Sequence, residues 1–336
     1  MRSQMVSLKS LFSKSTTASR SKSPFRIIVQ KEIADHVRSW RFLVLIILII
    51  LTFVASMYVS LSNLKSAVGN SNDPDHTFLY LKLLTTTDNS IPPFHIFLSF
   101  LAPLLGISLG FDTINAEQNG GTLTRLMAQP IYRDNLLLAK FTSALMVVST
   151  LFISLALLMV GAGLLITGVR MEPEEVIRIF GFVGISIIYV GLWLSVAILA
   201  SIKFKQTATA ALAAIGLWLF FTIFYQIVVN LVISSFLPDA SYLSQAEMIY
   251  YNDIILNLLR VSPNQLYTDA TTTLLMPSVR SLGPLTMEQM ASAIPAPLPF
   301  KESFMIVWPQ LSGLIAGTIA CFALSYYLFM RREIRC

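Results

Sequence analysis

Residues that could take part in chemistry are concentrated in one polar segment between two apolar runs. Residues 111–141 read FDTINAEQNGGTLTRLMAQPIYRDNLLLAKF. Glu117 begins a predicted short helix that runs through Met127; a Gly-Gly pair weakens it, and Pro130 ends it. Its apolar edge consists of Leu123, Leu126 and Met127. Such a helix between two spans is typical of a docking surface for a partner protein, although a plain surface connector has the same composition.

The sequence contains no nucleotide-binding motif, and no catalytic motif in the context that its chemistry needs. A phosphate-binding loop ends in Gly-Lys followed by Ser or Thr, and the dipeptide Gly-Lys does not occur in this chain. The metalloprotease pattern HExxH is also absent from the sequence. The one match to the hydrolase pattern GxSxG, residues 106–110, lies inside an apolar run, whereas hydrolases place this serine in the turn between a strand and a helix. The three histidines are far apart in the sequence, at His36, His76 and His95. We therefore expect a chain that is not an enzyme, with no cofactor and no metal site of its own.

The composition is that of a membrane protein. Of 336 residues, 55% are hydrophobic and 12% are charged, and the mean hydropathy is +0.69. Soluble proteins have about 25% charged residues and about 45–50% apolar ones. This difference excludes an ordinary cytosolic enzyme, a disordered chain and a nucleic-acid binder.

Six apolar runs are long enough to cross a bilayer, which requires about 20 residues in a helix. They predict an all-α polytopic membrane protein with six transmembrane helices. The runs are 42–61, 95–114, 141–168, 179–201, 208–236 and 304–329.

The distribution of charge predicts the orientation of these spans. Lys and Arg outnumber acidic residues in segments 1–41, 115–140, 202–206 and 330–336, and are outnumbered in the alternate loops. By the positive-inside rule, both termini are cytoplasmic. Residues 1–24 are predicted to be a disordered basic tail that contacts anionic headgroups of the lipid bilayer. The sequence has no N-x-S/T glycosylation site, which is compatible with the plasma (inner) membrane of a prokaryote.

Residues 25–41 predict an amphipathic helix at the inner membrane interface, an elbow that leads into the first span. Its apolar residues recur about every fourth position and are Phe25, Val29, Ile33, Val37 and Trp40. Lys31, Glu32 and Asp35 lie away from that face. The alternative is a simple cytoplasmic extension of the first span.

Polar residues within the predicted spans are few. Gln226 and Asn230 are one turn apart in the fifth span and therefore share a face. They are explained either by hydrogen bonds between helices or by a polar stripe that lines a substrate pathway. Ion-driven carriers usually need an acidic group in mid-membrane. Asp112 lies near the inner end of the second span, where water can reach it, and not in mid-membrane. This position argues against a carrier driven by protons or sodium ions, so any transport is expected to use another source of energy.

The extracytoplasmic segment 237–303 is expected to be partly structured. Its apolar part, 241–259, predicts one or two helices packed on the outer ends of the spans. The part from 276 to 300 contains five prolines and is expected to be extended. The sequence leaves open whether segment 237–303 recruits an extracytoplasmic partner.

The loop around Glu117 resembles the coupling loop of type-2 ABC exporter permeases. The matching pattern is Glu117-x-x-x-Gly121-Thr122-Leu123, followed by Leu126, Pro130, Arg133 and Lys140. Lys31-Glu32-Ile33-x-Asp35 resembles the elbow helix of that family. The C-terminal residues from Tyr326 to Arg335 are similar to its nitrous-oxide-reductase-maturation and gliding-motility branch. The chain departs from the family pattern at residues 118–120, where relatives often carry charged residues.

The resemblance implies a type-2 ABC exporter fold, with a six-span domain over residues 42–336 and a coupling loop at 115–140. It implies a non-catalytic permease that pairs with a second copy or a paralogue and with two cytosolic ATPase subunits. Those subunits would bind ATP and Mg²⁺ and drive export. The residues implied in coupling to the ATPase are Glu117, Gly121, Thr122, Leu123, Leu126, Pro130 and Arg133. Lys31, Glu32, Asp35 and Trp40 are the candidate residues of the elbow helix. A membrane scaffold or assembly factor and a self-contained carrier are the alternatives.

Overall fold

The protein is described by a computed structural model over residues 24–67, 78–86, 91–122, 133–236, 245–278 and 297–331. None of these residues lies in a β-strand. The helices are α1 (Pro24–Arg38), α2 (Trp40–Ala67), α3 (Leu79–Thr85), α4 (Phe94–Gly110), α5 (Asn115–Asn119), α6 (Arg133–Thr167), α7 (Pro173–Lys203), α8 (Thr207–Leu219), α9 (Tyr225–Phe236), α10 (Gln245–Leu259), α11 (Pro263–Leu275) and α12 (Phe300–Arg331). One π-helical turn, Phe220–Phe224, joins α8 to α9.

The six predicted spans are confirmed. Within the described ranges, six helical stretches are long and apolar enough to cross a membrane: Trp40–Ser62, Phe94–Asn119, Arg133–Thr167, Pro173–Lys203, Thr207–Ser235 and Phe300–Arg331. The third and fourth begin earlier than the apolar runs at 141 and 179, because the helices continue through polar turns at their ends. Residues 1–23 of the predicted tail lie outside the described part of the chain. Pro24, the last residue of that predicted tail, begins α1.

Helix α7 is the centre of the bundle, and α4 packs on it through glycines. A Cβ atom placed on Gly106 would lie 2.7 Å from the Val190 carbonyl oxygen. On Gly110 it would lie 2.7 Å from the Cβ of Ala197. Small residues allow helix backbones to approach closely in membrane proteins. The position of α4 against α7 is therefore fixed by the absence of side chains at these two glycines.

Helices α10 and α11 form a hairpin that enters the bundle, instead of covering the ends of the spans as the sequence predicted. The Tyr225 hydroxyl donates to the Leu258 carbonyl (2.7 Å), so α10 returns along α9. At the turn, the Ser262 hydroxyl donates to the Phe221 carbonyl (2.9 Å) in the π-helical turn. The Tyr189 and Tyr267 rings stack at 4.3 Å and hold α11 against α7. These tertiary contacts explain the apolar character of residues 241–259.

At the end of the bundle where α7 begins, Arg178 joins several elements. Its side chain is completely buried, and it donates to the Leu274 carbonyl (2.9 Å) and the Leu298 carbonyl (2.6 Å). It also donates to the Ser303 hydroxyl (3.2 Å) and forms an ion pair with Glu174 (2.7 Å). The segment around residue 298, α11 and α12 are thereby tied to the first turns of α7. We call this end of the bundle the opposite end, because it lies away from the end that contains α1.

We predict that Gly106→Ala destabilises the protein by about 1–3 kcal/mol, because the new methyl group would overpack the contact with α7. The change is detected as a lower melting temperature of the purified chain in detergent. Gly184→Ala in α7 is the matched control, since no atom lies within 4 Å of a Cβ placed there. An equal response of the two variants would contradict the close packing of α4 on α7.

Candidate coupling site

The elbow helix is α1, which ends at Arg38; Trp40 begins α2. The buried face of α1 includes Ile28, Val29 and Glu32. Val37 and Trp40 lie on the predicted apolar face but are exposed in the structure. The face that packs on the bundle therefore includes a carboxylate that the hydrophobic pattern assigned to the polar side.

The helix that contains Glu117 is shorter than predicted. It begins at Asn115 and ends at Asn119, two residues earlier than the predicted start and before the Gly-Gly pair; residues 123–127 of the predicted helix lie outside the described residues. A turn follows, in which Gly121 has a φ of +66°, a left-handed conformation that glycine adopts without steric cost. Thr122 is exposed and its hydroxyl donates to the Glu117 carbonyl (3.2 Å). Leu123, Leu126 and Pro130 lie outside the described residues, and Arg133 begins α6, where it is half-buried.

Helix α5 is attached to the central helix of the bundle. The backbone N–H groups of Ile114 (3.1 Å) and Asn115 (3.3 Å) both donate to the Ser201 hydroxyl of α7. Ser201 is completely buried. The start of α5 is therefore held by a side chain distant in sequence, and this contact fixes the residue at which the short helix begins.

Lys140 connects the elbow to the loop. Its ammonium Nζ lies 3.0 Å from Oε2 of Glu32 in α1 and 2.8 Å from Oε1 of Glu117 in α5. All three residues are buried, with Lys140 only 3% exposed. We call Glu32, Glu117 and Lys140 the coupling cluster, and the end of the bundle that contains it the elbow end.

The coupling cluster depends on three elements being in place at once. Removing charged groups from water is costly, and their mutual attraction compensates only when geometry is good and the ions are paired. Lys140 comes from α6, whereas its two carboxylate partners come from α1 and α5. Separation of α1 from α5 would leave at least one buried charge without its partner, so the cluster favours joint movement of the two helices.

Further ion pairs surround the coupling cluster at the elbow end. The exposed Lys31 ammonium lies 3.6 Å from a carboxylate oxygen of Glu32 and 3.6 Å from one of Asp35. Arg41 pairs with Asp112 at 2.7 Å, and its guanidinium lies over the Phe111 ring. Solvent-exposed pairs of this kind contribute about 0–1 kcal/mol each. They orient the elbow but contribute less to its attachment than the buried cluster.

A cavity of about 250 Å³ lies between α1, α4 and α5, bordered by the coupling cluster. His36 lines it, and burial lowers the pKa of this imidazole, while the nearby Glu32 carboxylate acts in the opposite direction. Among the residues that the structure describes, no group of three or more His, Cys, Asp or Glu side chains is placed to hold a metal ion.

The two predicted pathway residues lie away from the coupling cluster, on α9. Gln226 is half-buried and Asn230 is exposed. Neither amide side chain makes a hydrogen bond to another described residue, so the structure of a single chain supplies no interhelical hydrogen bond that explains them. Their role in a pathway stays a prediction.

Sequence reasoning missed the central role of Lys140. It lies at the boundary of an apolar run, where a lysine is normally a solvated flanking residue, and only the fold shows its burial. The available signal was the presence of two acidic residues, Glu32 and Glu117, on predicted interfacial helices. Arg178 was missed for the same reason, since it ends a short acidic loop in the sequence.

Comparison with known proteins decides the family. The model of the ABC-2 family transporter proteins matches residues 26–334, which is nearly the whole chain and includes the elbow, α5 and all six spans. The chain belongs to the ABC-2 transporter family. It is thus a membrane permease subunit of an ABC transporter, and ATP-binding subunits are its partners as a class.

Two curated relatives of this family carry the same printed name, probable ABC transporter permease protein NosY. The protein from Pseudomonas aeruginosa is 34% identical over 134 residues, which are 38% of this chain and 47% of the relative. The protein from Stutzerimonas stutzeri is 26% identical over 223 residues, or 66% of this chain and 75% of the relative. The alignment thus spans about half the length of the first relative and three quarters of the second.

We predict that Lys140→Met lowers stability by about 3–5 kcal/mol, because two carboxylates are left buried without their counter-ion. Thermal unfolding of the purified chain measures the effect. Lys31→Met is the control, since this exposed lysine should contribute less than about 1 kcal/mol. Adding Glu32→Gln and Glu117→Gln to Lys140→Met should restore part of the loss. A Lys140→Met chain as stable as the Lys31→Met chain would contradict the account of the buried cluster.

Proposed function

We propose that this permease subunit exports a substrate across the plasma membrane of a prokaryote, driven by ATP that separate cytosolic subunits hydrolyse. The observation that carries the proposal is the coupling cluster, in which buried Lys140 joins the elbow to α5 at 3.0 and 2.8 Å. Two ATPase subunits would bind ATP and Mg²⁺, and this chain would be non-catalytic. A second permease copy or a paralogue would complete the assembly.

The orientation in this proposal follows from charge. Exposed Arg26, Lys31, Arg38 and Arg41 lie on or next to α1 at the elbow end, and the basic segment 1–23 precedes them. Basic segments resist translocation across the membrane. The elbow end would then face the cytoplasm, where the ATPase subunits are, and both termini would be cytoplasmic.

The surface that would meet the ATPase is the exposed side of α5 and the turn after it. Gln118, Asn119 and Thr122 are exposed, whereas Glu117 between them is 9% exposed. In the proposal, the exposed residues contact the ATPase, and Glu117 passes the resulting displacement to Lys140 and so to the elbow. Gly121 supplies the left-handed turn that presents Thr122. Glu117 is thus a positioning residue for the contact surface.

The face for a second permease copy would be the exposed side of α8 and α9. Only 17% of the apolar stretch of this span is buried within one chain. Asn230 is exposed on it, and a polar side chain in the hydrocarbon region is expected to face protein or a water-filled cavity rather than lipid. In the proposal, Gln226 and Asn230 line a pathway between two copies.

We predict that Thr122→Trp greatly reduces, by about tenfold or more, the amount of ATPase that co-purifies with the tagged chain from native membranes in mild detergent. A bulky side chain on the exposed turn would block the contact without disturbing buried atoms. The expected partner is a P-loop protein of about 25–35 kDa, a typical single-domain size. Leu165→Trp is the matched control, because Leu165 is 87% exposed at the opposite end.

Two results would contradict the proposed function. One is a wild-type chain that purifies without an ATPase even after chemical crosslinking, as expected for a self-contained carrier. The other is an ATPase that stays bound to Thr122→Trp and Leu165→Trp in equal amounts, because it would place the ATPase contact elsewhere on the chain.

A further inference from the structure

The hairpin of α10 and α11 places its turn, Arg260–Ser262, about halfway along the spans. Ser262 contacts the π-helical turn in the middle of the fifth span through the Phe221 carbonyl. Just after the turn, the Asn264 side-chain oxygen accepts a hydrogen bond from the Tyr189 hydroxyl (3.3 Å), and Tyr189 lies in the middle of α7. A charged residue in this turn is therefore deep within the membrane-spanning part of the molecule.

Arg260 is that charged residue, and its ion pair is incomplete. Its Nε lies 3.6 Å from Oδ2 of Asp269, too far for a hydrogen bond, and neither atom has a hydrogen-bond partner among the described residues. Asp269 is itself held in place, because Gln265 donates to its other carboxylate oxygen at 2.7 Å. The only hydrogen bond of the guanidinium among described residues is a long one, 3.3 Å, to Asn257. Most donors of the guanidinium are therefore not used by the part of the chain that the structure describes.

The arrangement leaves one side of the guanidinium open. The Arg260 side chain is 30% exposed, whereas that of Asp269 behind it is 10% exposed. A guanidinium presents a planar fork of donors that matches carboxylate and phosphate groups, often in a bidentate manner. Ionisable residues inside a membrane usually face a bundle interior or a water-filled cavity, where they mark substrate pathways. Asp269 thus compensates the charge without occupying the fork.

The surroundings of the open side are apolar. Leu258 is 40% and Val261 is 59% exposed, on either side of Arg260 in sequence. The half-buried Tyr225 ring lies beside the last turn of α10, as its hydrogen bond to Leu258 shows. A cationic fork next to exposed apolar side chains suits a ligand that combines an anionic group with an apolar part.

We propose that Arg260 binds the anionic group of the transported substrate, and that this substrate is an amphiphile carrying a phosphate-like or carboxylate group. The proposal rests on the proposed function for the statement that the ligand is transported. Asp269 and Gln265 are positioning residues, because they hold the guanidinium in the turn. The anion is bound by the donors on the open side of the guanidinium, while Asp269 stays behind it and compensates part of its charge.

The test uses the full chain in detergent and octyl phosphate as the probe, with 1-octanol and inorganic phosphate as its uncharged and headgroup-only counterparts. We expect octyl phosphate to raise the melting temperature in a saturable manner, 1-octanol to have no saturable effect, and inorganic phosphate to bind at least tenfold more weakly. Saturation by inorganic phosphate at equal concentration would show a free-anion site and overturn the assignment to an amphiphile.

Variants separate binding from a purely structural ion pair. Arg260→Gln should weaken octyl phosphate binding at least tenfold, and Arg260→Lys should restore part of it. Asp269→Asn should weaken octyl phosphate binding several-fold, and less than Arg260→Gln does, because the guanidinium is kept but is no longer held in place by the carboxylate. Arg331→Gln is the matched control, since this exposed arginine ends α12. Equal ligand-dependent shifts in wild type and Arg260→Gln would overturn the proposal. The assay needs no ATPase, so this outcome would leave the ATP-driven function intact.

Discussion

The structure depends above all on a lysine ammonium that is held out of water between two carboxylates from different helices. Lys140 is nearly inaccessible to solvent, and Glu32 and Glu117 are its compensating charges. A buried ion is tolerated only while its partners stay within a few ångströms. The consequence is geometric: the elbow and the short helix after the second span keep a fixed relation through α6, although they are distant in sequence.

The rest of the bundle provides a frame for this cluster. Ser201 of α7 holds the start of α5, and the glycines of α4 place that helix in backbone contact with α7. At the opposite end, Arg178 ties the first turns of α7 to α11 and α12. A displacement applied at the exposed turn after α5 is thus delivered to elements that share one central helix. The mid-depth turn at Arg260 lies between these two attachment points.

Hydropathy and charge were sufficient to predict the six spans, because apolar length and basic flanks are properties of local sequence. The coupling residues were predicted from the resemblance to a family. For one of them, Gly121, the positive φ gives a physical reason why glycine stands at that position. Three features could not be read locally. Lys140 and Arg178 look like solvated boundary residues until their partners, distant in the chain, are known. The hairpin of α10 and α11 looks like an external segment, because its sequence contains polar residues and is not a continuous apolar run. The contacts of Ser262 and Tyr267 with the spans are between residues distant in sequence, and the local pattern does not show them.

The central claim is that the elbow and α5 move as one body. Spin labels at exposed Gln30 in α1 and Gln118 in α5, with Leu165 at the opposite end as reference, test it by distance measurement in the co-purified ATPase complex. Cys321 and Cys336 are first replaced by serine. The account predicts that trapping the ATP-bound state leaves the 30–118 distance unchanged and shifts the 30–165 and 118–165 distances together. A change in the 30–118 distance on trapping would contradict it.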